Sequence, residues 1–316
     1  MDLSVVDLSP VPEGGTATDA YANTVEAAQH AERLGYTRFW AETLAGTTPE
    51  VLLGHLAAET DAIRLGSGAV LLNHYSPLKV AEQFGALDAL APGRVDAGLG
   101  RANGSPAVDR ALGTERHVED PDGDHAEKVE AVVSHLYGEV PGDHPYGDIE
   151  IPGSAEGPAV PWVLGSSPSS AEIAAELGLP YCFAAFIRPQ FAVHAFETYR
   201  EEFEPSELAG GVDEPRGMVA VNALCAETDE EAARLRSVTE AIFRRMARGE
   251  VGTPPTVEEA IDELGGVPEP TPAGLLDQLS DRVGVDEVMI QQSAPTHDDA
   301  LRSHELLADG VGLASR

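Results

Sequence analysis

An arginine and a serine-rich segment of this chain have the functional groups that bind phosphate. Arg101 follows a predicted strand, and its guanidinium could hold a phosphate through two parallel hydrogen bonds. Gly165-Ser-Ser-Pro-Ser-Ser170 leads into a predicted helix over residues 171–177, where hydroxyls and free helix amides together form an anion site. The alternatives are a surface arginine paired with an acid, and ordinary capping of the helix by one serine.

A glycine-rich segment offers backbone instead of side chains. In Gly66-Ser67-Gly68-Ala69 the backbone could lie against a flat ligand, although glycine also eases a bend in a strand. Other motifs fail: the third glycine of Gly98-Leu-Gly-Arg-Ala-Asn-Gly104 falls one position late for a dinucleotide fingerprint. The chain has no His-Glu-x-x-His and no Gly-x-Ser-x-Gly, so metalloprotease and serine-hydrolase chemistry lose support, and we predict no metal site.

The elements that position these segments alternate between strand and helix along the chain. The predicted strands are residues 3–9, 38–42, 63–72, 94–100, 162–166, 181–185, 217–226 and 287–292. Eight β-α units in 316 residues predict an α/β fold, a closed (β/α)8 TIM barrel, better than an open doubly wound sheet. We expect one domain over residues 1–316.

Two regions exceed ordinary loop length and are rich in Gly, Pro and acids. They are residues 103–124 with 142–161, and residues 249–272. Loops of this length in a compact domain usually have a function. We expect long insertions at the C-terminal face of the barrel that cover a ligand, because a TIM barrel binds its ligand at that face.

The charge is extreme, since 54 Asp and Glu against 20 Lys and Arg give a formal net charge of −34. Binding to nucleic acid or to an anionic membrane through a basic face is therefore excluded. The acids are spread over the whole chain, which indicates adaptation to molar salt, where the Debye length falls to about 3 Å. Neither a membrane span nor an export signal is present in the sequence, so we expect a cytoplasmic protein.

Taken in order, several segments resemble the bacterial luciferase-like family of flavin-dependent oxidoreductases, particularly its single-chain, alkanal-monooxygenase-like branch. The resemblance covers nearly the whole chain. The segments that carry it are residues 3–15, 31–36, 66–72, 76–84, 92–101, 165–167, 174–180 and 301–307. Several motifs in the same order are far more specific than any one of them.

The resemblance implies a cofactor and its contacts. In this family the barrel binds FMN or, in some branches, a deazaflavin coenzyme. The residues that the resemblance and the motifs assign to the cofactor are Ser67, Gly68, Ala69, Arg101, Gly165, Ser166, Ser167 and Ser170. Arg101 and the serines would hold the phosphate, and the bond between Gly68 and Ala69 would match a cis peptide behind the flavin ring. A separate flavin reductase or a nicotinamide would supply electrons for reaction with oxygen or substrate.

Two departures from the family pattern concern catalysis. Relatives usually follow strand two with Ala-Glu-His-His, whereas this chain reads Ala41-Glu-Thr-Leu-Ala-Gly46. Strand six often ends in histidine, whereas Tyr181-Cys-Phe-Ala-Ala-Phe186 is apolar. Glu42 remains as a candidate acid or base at the flavin, or as a carboxylate that pairs with Arg38 or another basic group.

Three functions are compatible with this resemblance. The first is an FMN-dependent monooxygenase or related oxidoreductase that acts on a small organic molecule. The second is a deazaflavin-dependent oxidoreductase that transfers hydride, and the third is a flavin-binding paralogue without catalysis. The family also implies a possible homodimer, for which the apolar face around Val51, Leu52 and Leu56 is a candidate, although a buried core helix explains these residues equally well.

Overall fold

The computed structural model describes residues 1–12, 14–42, 48–101, 111, 121–140, 147–153, 157–206, 208, 210–248, 254–269 and 275–314. The strands are β1 (Asp2–Asp7), β2 (Arg38–Ala41), β3 (Arg64–Ser67), β4 (Val70–Leu71), β5 (Val95–Gly100), β6 (Val160–Gly165), β7 (Tyr181–Ala184), β8 (Gly217–Asn222) and β9 (Glu287–Gln291). The helices are α1 (Ala17–Leu34), α2 (Pro49–Glu59), α3 (Pro77–Leu90), α4 (Pro121–Tyr137), α5 (Pro168–Glu176), α6 (Ala192–Glu201), α7 (Asp229–Ala247), α8 (Val257–Leu264), α9 (Leu275–Val283) and α10 (His297–Val311).

The strands of the described residues form one parallel sheet that closes on itself. Their order is β3-β2-β1-β9-β8-β7-β6-β5-β4, and β3 also pairs with β5. β3 and β4 share one position of the barrel and are separated at Gly68 and Ala69, so the barrel has eight positions. The predicted TIM barrel is thus confirmed, and its third strand, predicted as residues 63–72, is interrupted.

Parts of the predicted long loops are regular structure. α4 begins at Pro121, α8 lies within the region predicted as residues 249–272, and β6 begins at Val160. The expectation of irregular structure was wrong there, because short amphipathic stretches bounded by Gly and Pro give only a weak periodic signal. Residues 102–110, 112–120, 141–146, 249–253 and 270–274 lie outside the described residues, and a cover over the barrel mouth stays a prediction.

An apolar layer lies between the barrel wall and the helices. Leu52 and Leu56 of α2 belong to this layer and are 6% and 0% exposed, whereas Val51 is 70% exposed. The face suggested for a dimer therefore packs within the chain, because hydrophobic side chains of a helix cover the sheet beneath them. A homodimer stays a prediction that this face does not support. No described helix is long and apolar enough to cross a membrane.

The barrel interior is built in layers. Between its two ends lies a separate apolar cluster that consists of Val6, Trp40, Trp162, Cys182, Met218, Ala220 and Met289. We call this cluster the middle layer, although it is more than one residue deep on β8, where Met218 and Ala220 are two positions apart. Successive side chains of a strand point to opposite faces, so residues two positions away also face the interior. This alternation assigns Ser4, Arg38, Asp96 and Glu287 to the N-terminal layer. The C-terminal layer, at the barrel mouth, includes Leu8, Glu42, Asn222 and Gln291.

The N-terminal layer is a buried network of charges. Asp96 is fully buried and accepts hydrogen bonds from Arg38 Nε at 3.1 Å, Arg64 Nη2 at 2.8 Å and Trp162 Nε1 at 3.2 Å. Arg38 also pairs with Glu287. Buried charges are tolerated only when they are paired and hydrogen-bonded, and here each carboxylate has a guanidinium partner. The N-terminal end is therefore filled, and ligand access falls to the opposite end.

Candidate functional site

The fold brings the three sequence-predicted segments to neighbouring strand ends at the barrel mouth. β5 pairs with β3 and β4 on one side and with β6 on the other. The β5–β6 register matches Leu99 with Val163, and two further residues along both strands it places Arg101 beside Gly165. Neighbouring strands lie about 4.8 Å apart, so the arginine and the serine-rich segment share one edge of the mouth.

The glycine-rich segment forms a tightly packed backbone surface. The bond between Gly68 and Ala69 is cis, as the resemblance implied. The Gly68 amide donates to the Ala41 carbonyl oxygen at 2.9 Å. The Ser67 hydroxyl is buried; it donates to the Gly98 carbonyl oxygen and accepts from the Gly98 amide, both at 2.9 Å. Ser67 therefore holds two strand ends together with its side chain.

The serine-rich segment leaves the N-terminus of α5 without a side-chain cap. Ser167 is the N-cap residue, but its hydroxyl lies 3.0 Å from the Ser169 hydroxyl and makes no capping bond. The Ser166 hydroxyl has no hydrogen-bond partner within the described parts of the chain. Simple capping by one serine is thus excluded as the reason for this sequence. Pro168 has no N–H and the Ser170 amide donates to the Ser167 carbonyl oxygen at 3.1 Å, so the Ser169 amide and the Ser166 hydroxyl are the donors that stay free for an anion.

Ser170 has a different place from the other serines. Its hydroxyl donates to the Ser167 carbonyl oxygen at 2.6 Å and lies 3.0 Å from the Tyr181 hydroxyl. Because both contacts are within the protein, the Ser170 side chain fixes the turn between β6 and α5. A Cβ atom on Gly165 would overlap this side chain, so Gly165 is the residue that lets the turn close.

Polar residues that the sequence analysis missed surround Arg101. The Arg101 carbonyl oxygen accepts from Asn73 Nδ2 at 2.8 Å, and Lys128 Nζ lies 3.2 Å from Asn73 Oδ1 and 2.6 Å from Asp124 Oδ2. His125 is 2% exposed, and its Nδ1 has no partner among the described residues. Burial and the positive charges of Arg101 and Lys128 lower the pKa of His125 to about 4.

These residues add positive charge and donors beside the predicted phosphate contact. Arg101 and Lys128 both lie close enough to His125 to lower its pKa, and Lys128 is paired with Asp124 at 2.6 Å. Sequence reasoning missed Lys128 and His125 because they lie on α4, more than twenty residues away from Arg101 along the chain. The one sequence signal that could have pointed to Lys128 is the scarcity of lysine, since Lys79 and Lys128 are the only two lysines in the sequence.

Glu42 lies at the barrel mouth, whereas Arg38, its suggested ion-pair partner, lies at the opposite end of β2. The pairing with Arg38 is wrong, because Arg38 begins β2 and is bonded to Asp96 and Glu287 in the N-terminal layer. In the described chain the Glu42 carboxyl has neither a hydrogen bond nor an ion pair. Burial raises its pKa to about 7. The group can therefore accept or release a proton near neutral pH.

Glu42 also adjoins the glycine-rich segment. The β2–β3 register matches Ala41 with Ser67, so the next residues, Glu42 and Gly68, are neighbours on the two strands. The Glu42 amide donates to the Asp7 carbonyl oxygen at 2.9 Å, which fixes the backbone from the other side. A titratable carboxyl thus stands beside the backbone surface at Gly68 and Ala69.

Two amide side chains complete the mouth and were also missed from sequence. Asn222 ends β8 and Gln291 ends β9, and the two residues are register partners. The Asn222 Oδ1 atom is buried without a hydrogen-bond partner in the described structure. Strand alternation is the signal that could have found them, since both follow inward-facing residues of the middle layer. None of the described residues forms a cluster of three or more potential metal ligands.

A match over most of the chain decides the family. Residues 1–279 match the family model of luciferase-like monooxygenases. This chain belongs to the luciferase-like monooxygenase family. It is 34% identical to a luciferase-like monooxygenase of Escherichia coli (strain K12), over 97% of this chain and 96% of that protein. The protein in the crystal structure of apo-MsnO8 is 37% identical in sequence to this chain. The alignment covers 100% of this chain and 99% of that chain, with a TM-score of 0.86.

More distant structures share the fold of this luciferase-like monooxygenase. The oxygenating constituent of 3,6-diketocamphane monooxygenase from Pseudomonas putida, in complex with FMN, is 19% identical with a TM-score of 0.71. An F420-dependent secondary alcohol dehydrogenase, in complex with an F420-acetone adduct, is 14% identical with a TM-score of 0.68. Each alignment covers 98% of both chains. At these identities the two structures show that the fold is shared, and the bound cofactors are properties of those two proteins.

Proposed function

We propose that this luciferase-like enzyme is an FMN-dependent monooxygenase that acts on a small organic molecule. The observation that carries the proposal is the convergence of Arg101 with the uncapped N-terminus of α5 at one edge of the mouth. A guanidinium, a free hydroxyl and a free helix amide are the donors that a dianionic phosphate requires. Lys128, near Arg101 through Asn73, adds a second positive charge.

The residues present fit FMN by their chemistry. Arg101, Ser166 and Ser167 with the free α5 amide would hold the phosphate, while Gly165 and Ser170 keep their backbone in place. The backbone at Gly68 and Ala69, fixed by Ser67, would lie against the flavin ring. FMN supplies the two-electron chemistry when it is bound. A separate flavin reductase that delivers reduced FMN is part of this proposal.

Glu42 is our candidate for proton transfer beside the ring. Its carboxyl has no partner in the described residues and its pKa is raised to about 7 by burial, so both protonation states are populated near neutrality. A group whose pKa is close to the working pH is the most effective general acid or base. Glu42 would thus take the role for which relatives have histidines after strand two.

Deazaflavin binding is the second candidate, since F420-dependent enzymes share the fold. The same hydrogen-bond donors at β5 and α5 can bind a phosphate of either coenzyme, and the apolar barrel interior suits either ring system. In that case the protein transfers hydride and does not activate oxygen. A flavin-binding paralogue without catalysis is the third, and an unpartnered Glu42 at the ring argues for retained proton chemistry.

Calorimetric titration in molar potassium chloride tests the proposal. The titrants are oxidised FMN, dithionite-reduced FMN under anaerobic conditions, and the deazaflavin coenzyme. Tighter binding of FMN than of the deazaflavin, followed by oxygen consumption with reduced FMN and substrate, supports the monooxygenase. Preference for the deazaflavin supports hydride transfer, FMN binding without oxygen consumption supports the inactive paralogue, and binding of neither coenzyme overturns all three. The variant Arg101→Ala tests the phosphate contact in the same titration. Its matched control is Arg33→Ala, which removes an exposed arginine of α1.

A further inference from the structure

A second polar surface lies at the mouth directly across from Arg101. In the closed order of strands, β6 is four positions from β1 and β5 is four positions from β9. The arc β2-β1-β9-β8 is therefore centred opposite the β5–β6 edge. Its inward-facing mouth residues are Glu42 on β2, Gln291 on β9 and Asn222 on β8. We call these three side chains the amide arc.

The oxygens of the amide arc lack donors. The buried Asn222 Oδ1 has no partner among the described residues. Gln291 directs its Nε2 to the Gln292 carbonyl oxygen at 3.0 Å and to the Ser293 hydroxyl at 3.3 Å, so its amide nitrogen is occupied and its Oε1 is not. An acceptor buried without a donor costs free energy, and such groups in folded proteins usually meet a ligand or a bound water.

The surroundings of the amide arc are apolar. The middle layer beneath it consists of hydrophobic side chains, and Leu8, Leu164 and Phe186 pack partly buried against that layer. A ligand that reaches the arc must therefore combine an apolar body with one polar end. The polar end meets the two free amide oxygens, which only a hydrogen-bond donor satisfies, and the Glu42 carboxyl, which repels an anion when it is ionised.

We propose that Asn222 and Gln291 determine substrate specificity by accepting hydrogen bonds from a neutral hydroxyl or amide group of a small, otherwise apolar molecule. The inference rests on the proposed function, since it names the substrate class of the same site. Buried polar groups of a binding site discriminate most strongly against analogues that leave them unpaired. A ketone or a carboxylate can accept from the Asn222 amide nitrogen but cannot donate, so it leaves both amide oxygens unpaired and should bind less tightly.

Two matched pairs of probes test this specificity. Cyclohexanol is compared with cyclohexanone, which lacks the donor, and cyclohexanecarboxamide with cyclohexanecarboxylate, which adds a charge. Dissociation constants are measured in molar potassium chloride, for the free protein and for protein saturated with FMN. Molar salt screens the net charge of −34, so a preference against the carboxylate then reports local contacts. We expect cyclohexanol and cyclohexanecarboxamide, which can donate hydrogen bonds, each to bind about tenfold more tightly than the other member of the pair.

Variants assign the preference to the amide arc. Asn222→Leu and Gln291→Leu should each weaken the binding of cyclohexanol and cyclohexanecarboxamide about fivefold to tenfold. The dissociation constant of cyclohexanone should not change. Asn222→Asp keeps acceptor oxygens, so it should retain the preference for cyclohexanol over cyclohexanone even if the leucine variant fails to fold. Gln278→Leu, an exposed glutamine of α9, is the matched control and should change nothing.

The outcomes separate this inference from the proposed function. Equal binding of alcohol and ketone, or a preference that survives both leucine variants, overturns the role of the amide arc while FMN binding is untouched. A donor preference in the free protein together with no FMN binding refutes the proposed cofactor and keeps the amide arc as a binding site.

Discussion

Gly165 and Ser170 pack so closely that a methyl group on Gly165 would overlap the Ser170 side chain. Gly165 ends β6, and Ser170 lies in the first turn of α5, where its hydroxyl is bonded to Ser167 and Tyr181. The contact sets where the N-terminus of α5 lies relative to the barrel mouth. The position of the proposed phosphate contacts therefore depends on the absence of one side chain.

Gly165→Ala should displace the start of α5. We expect a loss of about 1 to 3 kcal/mol in the free energy of unfolding from overpacking, and at least tenfold weaker FMN binding. The double variant Gly165→Ala with Ser170→Gly should recover part of the stability, because the overlapping side chain is removed. Denaturant unfolding and FMN titration measure both effects. Gly310→Ala, where a Cβ meets no atom within 4 Å, is the control and should cause no loss.

Arg101→Ala should weaken FMN binding by roughly 1.5 to 3 kcal/mol, about 10- to 100-fold in Kd, because a charge-assisted phosphate contact is lost. The same variant should bind riboflavin, which has no phosphate, as the parent does. Arg33→Ala should bind FMN with the parent affinity. An unchanged Kd for FMN in Arg101→Ala would remove this arginine from the site.

Glu42→Gln should change how stability depends on pH. The folded pKa is raised from 4.5 to about 7, so the folded state keeps a proton that the unfolded chain has released. The carboxyl of the parent therefore costs no stability below pH 4.5, and its cost grows as pH rises to about 7 and is complete above that. Glu42→Gln should be more stable than the parent by about 3 kcal/mol above neutrality and no more stable in acid.

Denaturant unfolding of both proteins between pH 4 and 8 checks this difference. Glu59→Gln, at an exposed position at the end of α2, should follow the parent at every pH. Parallel curves for Glu42→Gln and the parent would show that Glu42 is not buried as described.

Asp96→Asn should strongly destabilise the barrel. The substitution keeps the shape of the side chain but leaves the guanidiniums of Arg38 and Arg64 short of a buried carboxylate. Breaking a buried ion pair by removing one partner typically costs about 3 to 5 kcal/mol. Denaturant unfolding in molar salt measures the loss. Asp286→Asn, an exposed aspartate just before β9, should stay within about 0.5 kcal/mol of the parent.

Removal of salt should unfold the protein. A net charge of −34 repels itself once the Debye length grows from about 3 Å in molar salt to about 30 Å in dilute buffer. Helical circular dichroism should fall on dialysis into dilute buffer and return when potassium chloride is restored. Full helicity in dilute buffer would contradict adaptation to high salt.

The sequence by itself determined the barrel and the three segments that surround the proposed phosphate. Alternating short strands and amphipathic helices are local signals, so the eight β-α units could be read without knowledge of long-range contacts. The starts of α2 and α3 are also local, because Pro49 and Pro77 each stand at the first helical position, where proline is favoured. The cis bond at Gly68-Ala69 came from family resemblance, since no local rule predicts it.

Only the tertiary structure decided which polar groups face each other. Lys128 and His125 reach Arg101 from α4, Asn222 and Gln291 meet across two strands that are distant in sequence, and Arg38 lies at the opposite end of β2 from Glu42. The raised pKa of Glu42 also depends on burial among distant elements. The physical reason is that strand register and closure of the barrel set these distances, whereas sequence periodicity specifies only the face on which each side chain lies.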